Sequence, residues 1–188
     1  MAVLATIVAA YAAVVLVVPA AGPPFVAERR TTVPWSLFAH LAGSAIAMAA
    51  GPWQFSTRLR QKALTVHRWS GRVYVMAVMV GGVGGLSLAR LSEEGMATHL
   101  GFGALALAWL GTTATAYMRI RARNVVSHRQ WMVRSYALTL AAVTLRIYLP
   151  ISLLAGIPYP VAYRAISWVC WIPNLIVAEW INRTRASR

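Results

Sequence analysis

Arg58-Leu59-Arg60-Gln61-Lys62, followed by His67-Arg68-Trp69, returns 61 residues later as Arg119-Ile120-Arg121-Ala122-Arg123 and His128-Arg129, with Trp131 close behind. Every basic position and the His match at that single offset. Downstream, Arg72 and Tyr74 correspond within one residue to Arg134 and Tyr136, and upstream His40-Leu41 and His99-Leu100 lie 59 residues apart. Each basic stretch joins two long apolar runs. The repeat therefore predicts one helical hairpin used twice, over residues 34–89 and 96–149, the copies related by an axis along the membrane normal.

The rest of the chain fits that frame. Of 188 residues, 59% are hydrophobic and only 12% charged, with mean hydropathy +0.61; a soluble domain carries roughly 25% charged residues. A soluble globular protein is excluded. A helix crosses about 30 Å of hydrocarbon with about 20 residues at 1.5 Å each, and six runs meet that need, at about 2–18, 34–55, 66–89, 96–118, 129–149 and 161–181. The expected fold is an all-α integral membrane protein of six transmembrane helices, one membrane domain over residues 1–188, with a central four-helix bundle built from the duplicated hairpin. Absence of Lys or Arg ahead of the first run argues against a cleaved signal peptide, although its Ala-rich end leaves cleavage open.

Charge supplies the orientation. Lys and Arg number 18 against four acids, Glu28, Glu93, Glu94 and Glu179, for a net +14, and there is no Asp. Asp-based metal sites, triads and dyads are excluded. Thirteen of the basic residues sit at the two repeated connections and in the tail, while Arg29, Arg30, Arg90, Arg146 and Arg164 fall on the opposite side with three of the acids. By the positive-inside rule the first set is cytoplasmic, which predicts that both termini are inside. Arg58, Arg60, Lys62, Arg183, Arg185 and Arg188 read as topology markers in contact with anionic lipid of the bilayer. Nucleic acid is not needed as a partner. The lone Cys170 forbids an intramolecular disulfide and any CxxC framework.

All four His belong to the repeated unit, one per helix, each near the N-terminal end of its span. Because successive spans run in opposite directions, His40 and His99 share the outer leaflet and His67 and His128 the inner. Two imidazoles at one depth on facing helices are what axial ligation of a haem iron requires. Two such pairs predict one or two haem b groups and transmembrane electron transfer. Gly43, Ser44, Gly101, Gly103 and the Gly81–Gly85 run could line the space of a flat macrocycle, or could equally be helix-packing positions. Arg68, Arg72, Arg129 and Arg134 are candidate inner anchors for anionic propionates and Arg146 an outer one. The alternatives are non-haem metal binding and a small transporter or membrane accessory protein whose His and Arg residues bind lipid or a quinone, or hold the bundle together. A zinc-type site wants three or four ligands close together, which two pairs on opposite leaflets do not supply.

The arrangement resembles the cytochrome b561 and ferric-reductase group of six-helix membrane proteins, in which four central helices each supply a haem-ligating His. That resemblance is one of layout, covering about Trp35 to Leu149, and implies an outer haem on His40 and His99 and an inner one on His67 and His128. Gly51-Pro52-Trp53-Gln54-Phe55, His67-Arg68-Trp69-Ser70-Gly71-Arg72, His128-Arg129-Gln130-Trp131-Met132-Val133-Arg134-Ser135 and Val143-Thr144-Leu145-Arg146-Ile147-Tyr148-Leu149-Pro150 resemble the domain of unknown function 2306 family of bacterial membrane proteins. The chain departs from the b561 layout at the inner site: Thr65 and Ser127 read as N-caps, which puts His67 and His128 in the first helical turn, and each is followed directly by Arg. An interfacial His-Arg pair could instead bind lipid phosphate or a quinone headgroup. The electron donor and acceptor must lie outside the chain, since no GxGxxG follows a strand.

Among the remaining residues, Trp35, Trp53, Trp69, Trp131 and Trp180 read as an interfacial belt and Trp109, Trp168 and Trp171 as deeper packing. Met48, Met76, Met79, Met118 and Met132 read as core. Glu179 is expected to pair with Arg183 at i,i+4 or to relay protons near the inner site.

Overall fold

Pro34 opens the helix on which the first half of the molecule is built, at a position where a missing N–H costs nothing. In the computed structural model, which describes residues 2–186, 87% of the chain is helical, with no strand among the described residues. The α-helices are α1 (Ala2–Val17), α2 (Pro24–Thr32), α3 (Pro34–Gln54), α4 (Thr57–Lys62), α5 (Leu64–Ala89), α6 (Met96–Arg121), α7 (Val125–Thr139), α8 (Ala141–Leu154), α9 (Tyr159–Val169) and α10 (Ile172–Ala186). Among the described residues three helical runs, Leu64–Ala89, Val125–Leu154 and Tyr159–Arg185, are long and apolar enough to cross a membrane. α3 and α6 have the length, 21 and 26 residues, but His, Ser, Thr and Gly dilute them. α1 has 16 residues.

The chain divides into two compact units, Met1–Leu88 and Ala89–Arg188. In the first, α1 packs on α3, and Val15, Val26 and Leu37 form a core closed by Phe25, Leu41 and Leu88. Arg30 of α2 donates to the carbonyls of Val15 and Leu16 at 3.1 and 2.8 Å, satisfying acceptors that the end of α1 leaves open. α3 and α5 approach so closely that a Cβ on Gly43 would lie 2.5 Å from the Ala77 carbonyl oxygen and 2.6 Å from the Gly81 nitrogen. Hydrogen bonds tie the same pair at both ends, Ser36 to Ser87 at 3.0 Å and Gln54 to Ser70 at 2.7 Å.

In the second unit α6 packs on α7 and α9, and α10 packs on α7. Polar side chains join α6 to α7: Trp109 Nε1–H donates to Thr139 Oγ1 at 2.9 Å, and the hydroxyls of Thr113 and Ser135 meet at 2.6 Å. All four are buried, the situation in which an apolar helix pair gains most from a hydrogen bond. Trp109→Phe keeps most of the ring and removes the donor. It is expected to lower stability by about 1 kcal/mol, read from the unfolding midpoint in mixed detergent. Ala141, Ala162, Ile166 and Cys170 form a second core under Phe102, Leu105, Leu145 and Leu149.

Several local expectations need correction. The cap of α7 is Asn124, whose Oδ1 accepts from Ser127 N–H at 3.0 Å, so Ser127 is the capped residue and not the cap. α5 starts at Leu64, which puts Thr65 inside its first turn. The run expected over 129–149 starts earlier, at Val125, and breaks between Thr139 and Ala141. There Thr139 and Thr144 bond back to the carbonyls of Ser135 and Leu140, a habit that bends helices. The run expected over 161–181 breaks at Cys170-Trp171, because Pro173 has no N–H for the carbonyl four residues back. Met48 and Met132 are core, whereas Met76 and Met118 face outward, 62% and 59% exposed.

Candidate functional site

His40 sits on α3 with its ring laid against α5. Its Nδ1 lies 2.9 Å from the Gly81 carbonyl oxygen. A carbonyl only accepts, so Nδ1 carries the proton and the lone pair of the neutral ring is on Nε2. The ring comes this close because Gly85 has no side chain: a Cβ there would be 2.8 Å from Nδ1. Gly84 likewise lies against the backbone at Ser36 and His40. Of the two roles open to the glycines, Gly43, Gly81, Gly84 and Gly85 therefore serve helix packing and the seat of His40. Gly101 packs on Ser167, while Gly103 has no neighbour at its Cβ position.

His128, in the first turn of α7, repeats the arrangement of His40 with a different helix. Its Nδ1–H donates to the Ala116 carbonyl of α6 at 2.8 Å, leaving Nε2 as the basic nitrogen. His99 is turned the other way: Nε2 donates to the Ser92 carbonyl at 2.8 Å, so Nδ1 holds the lone pair. His67 is half-buried in the first turn of α5, with Nδ1 inside the protein. His40 and His67 belong to the first unit, His99 and His128 to the second. Among the described residues no three His, Cys, Asp or Glu side chains gather as a metal cluster.

The arginines separate by environment. Arg72 stacks on Trp69 at 4.8 Å and Arg134 on Trp131 at 4.5 Å, each three residues along its helix. Arg134 also forms a two-pronged ion pair with Glu179 of α10, Nε to Oε1 at 2.5 Å and Nη2 to Oε2 at 2.8 Å. The carboxylate of Glu179 thus reaches across helices to Arg134, and not along its own helix to Arg183 as the i,i+4 spacing suggested. Arg146 donates to the Ala142 carbonyl at 3.0 Å. Arg68 and Arg129 are exposed, and Arg129 lines a groove with Gln130, Asn182 and Arg185.

Two asparagines that the charge-led reading passed over turn out to join helices. Asn174 Nδ2 lies within hydrogen-bonding distance of the Ala137 and Cys170 carbonyls and Thr144 Oγ1, at 3.2, 3.1 and 3.0 Å. Asn182 donates to the Gln130 carbonyl at 3.1 Å. Their signal was an amide inside an otherwise apolar run, which is costly unless partnered.

The family model described as predicted membrane protein (DUF2306) matches residues 37–182. The chain belongs to this family. The matched segment takes in all four His, both basic connections and the Arg134–Glu179 pair, so the membership covers the candidate site as well as the fold. With helices able to span a bilayer, this member of the family is a membrane protein. No curated protein and no solved structure matches the chain.

Proposed function

We propose that the protein is a six-span cytochrome-like component of a bacterial inner membrane, with both termini cytoplasmic, in which His67 and His128, at the same position of the duplicated hairpins, are haem b ligands near the cytoplasmic face. The observation that carries this reading is the His128 ring, held by Nδ1–H on a backbone carbonyl at 2.8 Å. Such a contact fixes the tautomer and orientation of a metal-ligating imidazole, and here it leaves Nε2 as the nitrogen with the lone pair. His67 follows as the same position of the repeated hairpin. The matching Trp69–Arg72 and Trp131–Arg134 stacks support the repeat. Exposed Arg68, beside His67, suits a propionate.

The outer pair supports a second haem less well. His40 offers Nε2, but His99 offers Nδ1, and a metal at Nδ1 would bring a macrocycle against the residue's own Cβ. Gly43, Gly81, Gly84 and Gly85, moreover, are filled by packing. A bis-His haem would supply one-electron exchange without a change of ligands. The chain's own residues would supply the tautomer, the propionate partner and exclusion of water; quinol or a cytoplasmic reductant and an external acceptor would be the partners.

The test is the oxidised and reduced absorbance of full-length protein from haem-replete cells. A low-spin b-type spectrum is expected, abolished by His128→Ala and by His67→Ala and retained in His99→Ala. A folded, colourless protein that takes up no added hemin overturns the reading. The second reading, a bundle-forming accessory or transport protein, would then stand, and it is favoured by the use of three imidazoles as hydrogen-bond links to backbone carbonyls.

A further inference from the structure

At one end of the second unit, the first turn of α7 and the last turn of α10 enclose a groove of about 240 Å³. Val125 and Arg129 stand one above the other at i,i+4 on α7, as do Val126 and Gln130. Asn182 and Arg185, three apart on α10, face them. The Asn182 side chain, 5% exposed, fastens the two helices through the Gln130 carbonyl and makes the floor rigid. Both arginines are exposed, and no ion pair joins either to a carboxylate among the described residues. The nearest acid on α10, Glu179, is already held by Arg134. Val125 and Val126 are 62% and 72% exposed, an apolar shelf beside the two cations. The positive end of the α7 dipole adds to the same field and the negative end of α10 subtracts from it, so the two guanidinium groups carry the charge of the site.

We propose that this groove binds the headgroup phosphate of an anionic phospholipid, with Arg129 and Arg185 on the phosphate and the acyl chain leaving over Val125 and Val126. The pairing of two guanidinium groups with an apolar shelf is what separates a lipid from a soluble anion: inorganic phosphate has nothing to place on two valines. Guanidinium groups grip phosphate oxygens in a forked geometry that an ammonium does not. Arg129, beside His128, is shared with the haem reading as a candidate propionate anchor, whereas Arg185, Gln130, Asn182 and the two valines are not, so Arg185→Gln tests the lipid site apart from the haem.

The experiment is native mass spectrometry of the full chain in detergent, titrated with phosphatidylglycerol or with phosphatidylcholine. Preferential retention of phosphatidylglycerol is expected, weakened about fivefold in Arg129→Gln or Arg185→Gln and about 25-fold in the double variant. Arg119→Gln/Arg121→Gln, which removes two exposed charges outside the groove, is expected to leave retention near that of the parent. Equal loss in that control would mean diffuse charge attraction and overturn the site. Equal retention of phosphatidylcholine, or displacement of phosphatidylglycerol by inorganic phosphate alone, would overturn it as well. Each single variant is checked by its unfolding midpoint, so a folding defect in the double variant does not decide the result.

Discussion

Gly43→Leu is expected to prevent the first unit from assembling. The three atoms nearest to a Cβ at position 43 are Ala77 O at 2.5 Å, Gly81 N at 2.6 Å and Gly81 Cα at 2.7 Å, and all three are backbone. No side chain can rotate out of the way, so α3 and α5 must separate. In a membrane, where close van der Waals packing replaces the hydrophobic effect as the force between helices, that separation removes the attraction itself. Overpacking a core costs about 1–3 kcal/mol where side chains can adjust; here they cannot, so Gly43→Ala is expected near the top of that range and Gly43→Leu beyond it. The separation would also carry the Gly81 carbonyl away from His40 Nδ1, now at 2.9 Å. Gly111 gives the control, because nothing lies within 4 Å of its Cβ position. Gly111→Ala is expected to be neutral or to stabilise by about 0.5–1 kcal/mol through helix propensity. Unfolding midpoints in mixed detergent would report both, and a Gly43→Leu protein as stable as the parent would refute the close contact.

That contact marks the limit of what the amino-acid order reveals. The position of long helices could be read from runs of apolar residues and from Pro34, because length and the backbone's need for internal hydrogen bonds decide them locally. The Gly81–Gly85 run was visible too, but whether it lines a cavity or receives another helix depends on α3, some 40 residues away. His40 shows the same limit: its spacing gives a depth, while only its Gly81 carbonyl bond says which nitrogen bears the lone pair. The small helices α2 and α4 were not anticipated, since 9 and 6 residues carry too few turns for a period. Asn124 was missed as a cap because Asn and Ser have about the same general preference, so residue type alone does not separate it from Ser127. Its advantage is positional: it follows Arg123, whose positive φ of 60° ends the preceding turn and sets up the entry to α7.

The Arg134–Glu179 pair leads to the second large effect. Both side chains are partly exposed in the isolated protein, 20% and 42%, but their helices lie within runs long and apolar enough to span a bilayer, where lipid would take the place of screening water. Removing one partner strands the other. Arg134→Gln and Glu179→Gln are each expected to destabilise by about 2–3 kcal/mol, and the double variant by less than their sum, a coupling of about 1–3 kcal/mol. Arg134→Lys should not restore the parent, because an ammonium lacks the planar fork that sets two parallel N–H donors on the two carboxylate oxygens. Strict additivity of the two single changes in unfolding free energy would dissolve the pair as a stabilising unit. Arg72 provides the comparison within the molecule: it stacks on Trp69 as Arg134 stacks on Trp131, yet no ion pair joins it to a carboxylate among the described residues. Arg72→Gln is therefore expected to cost only the stacking, about 0.5–1 kcal/mol. The difference between two otherwise matching arginines would isolate the contribution of Glu179, which reaches Arg134 from α10.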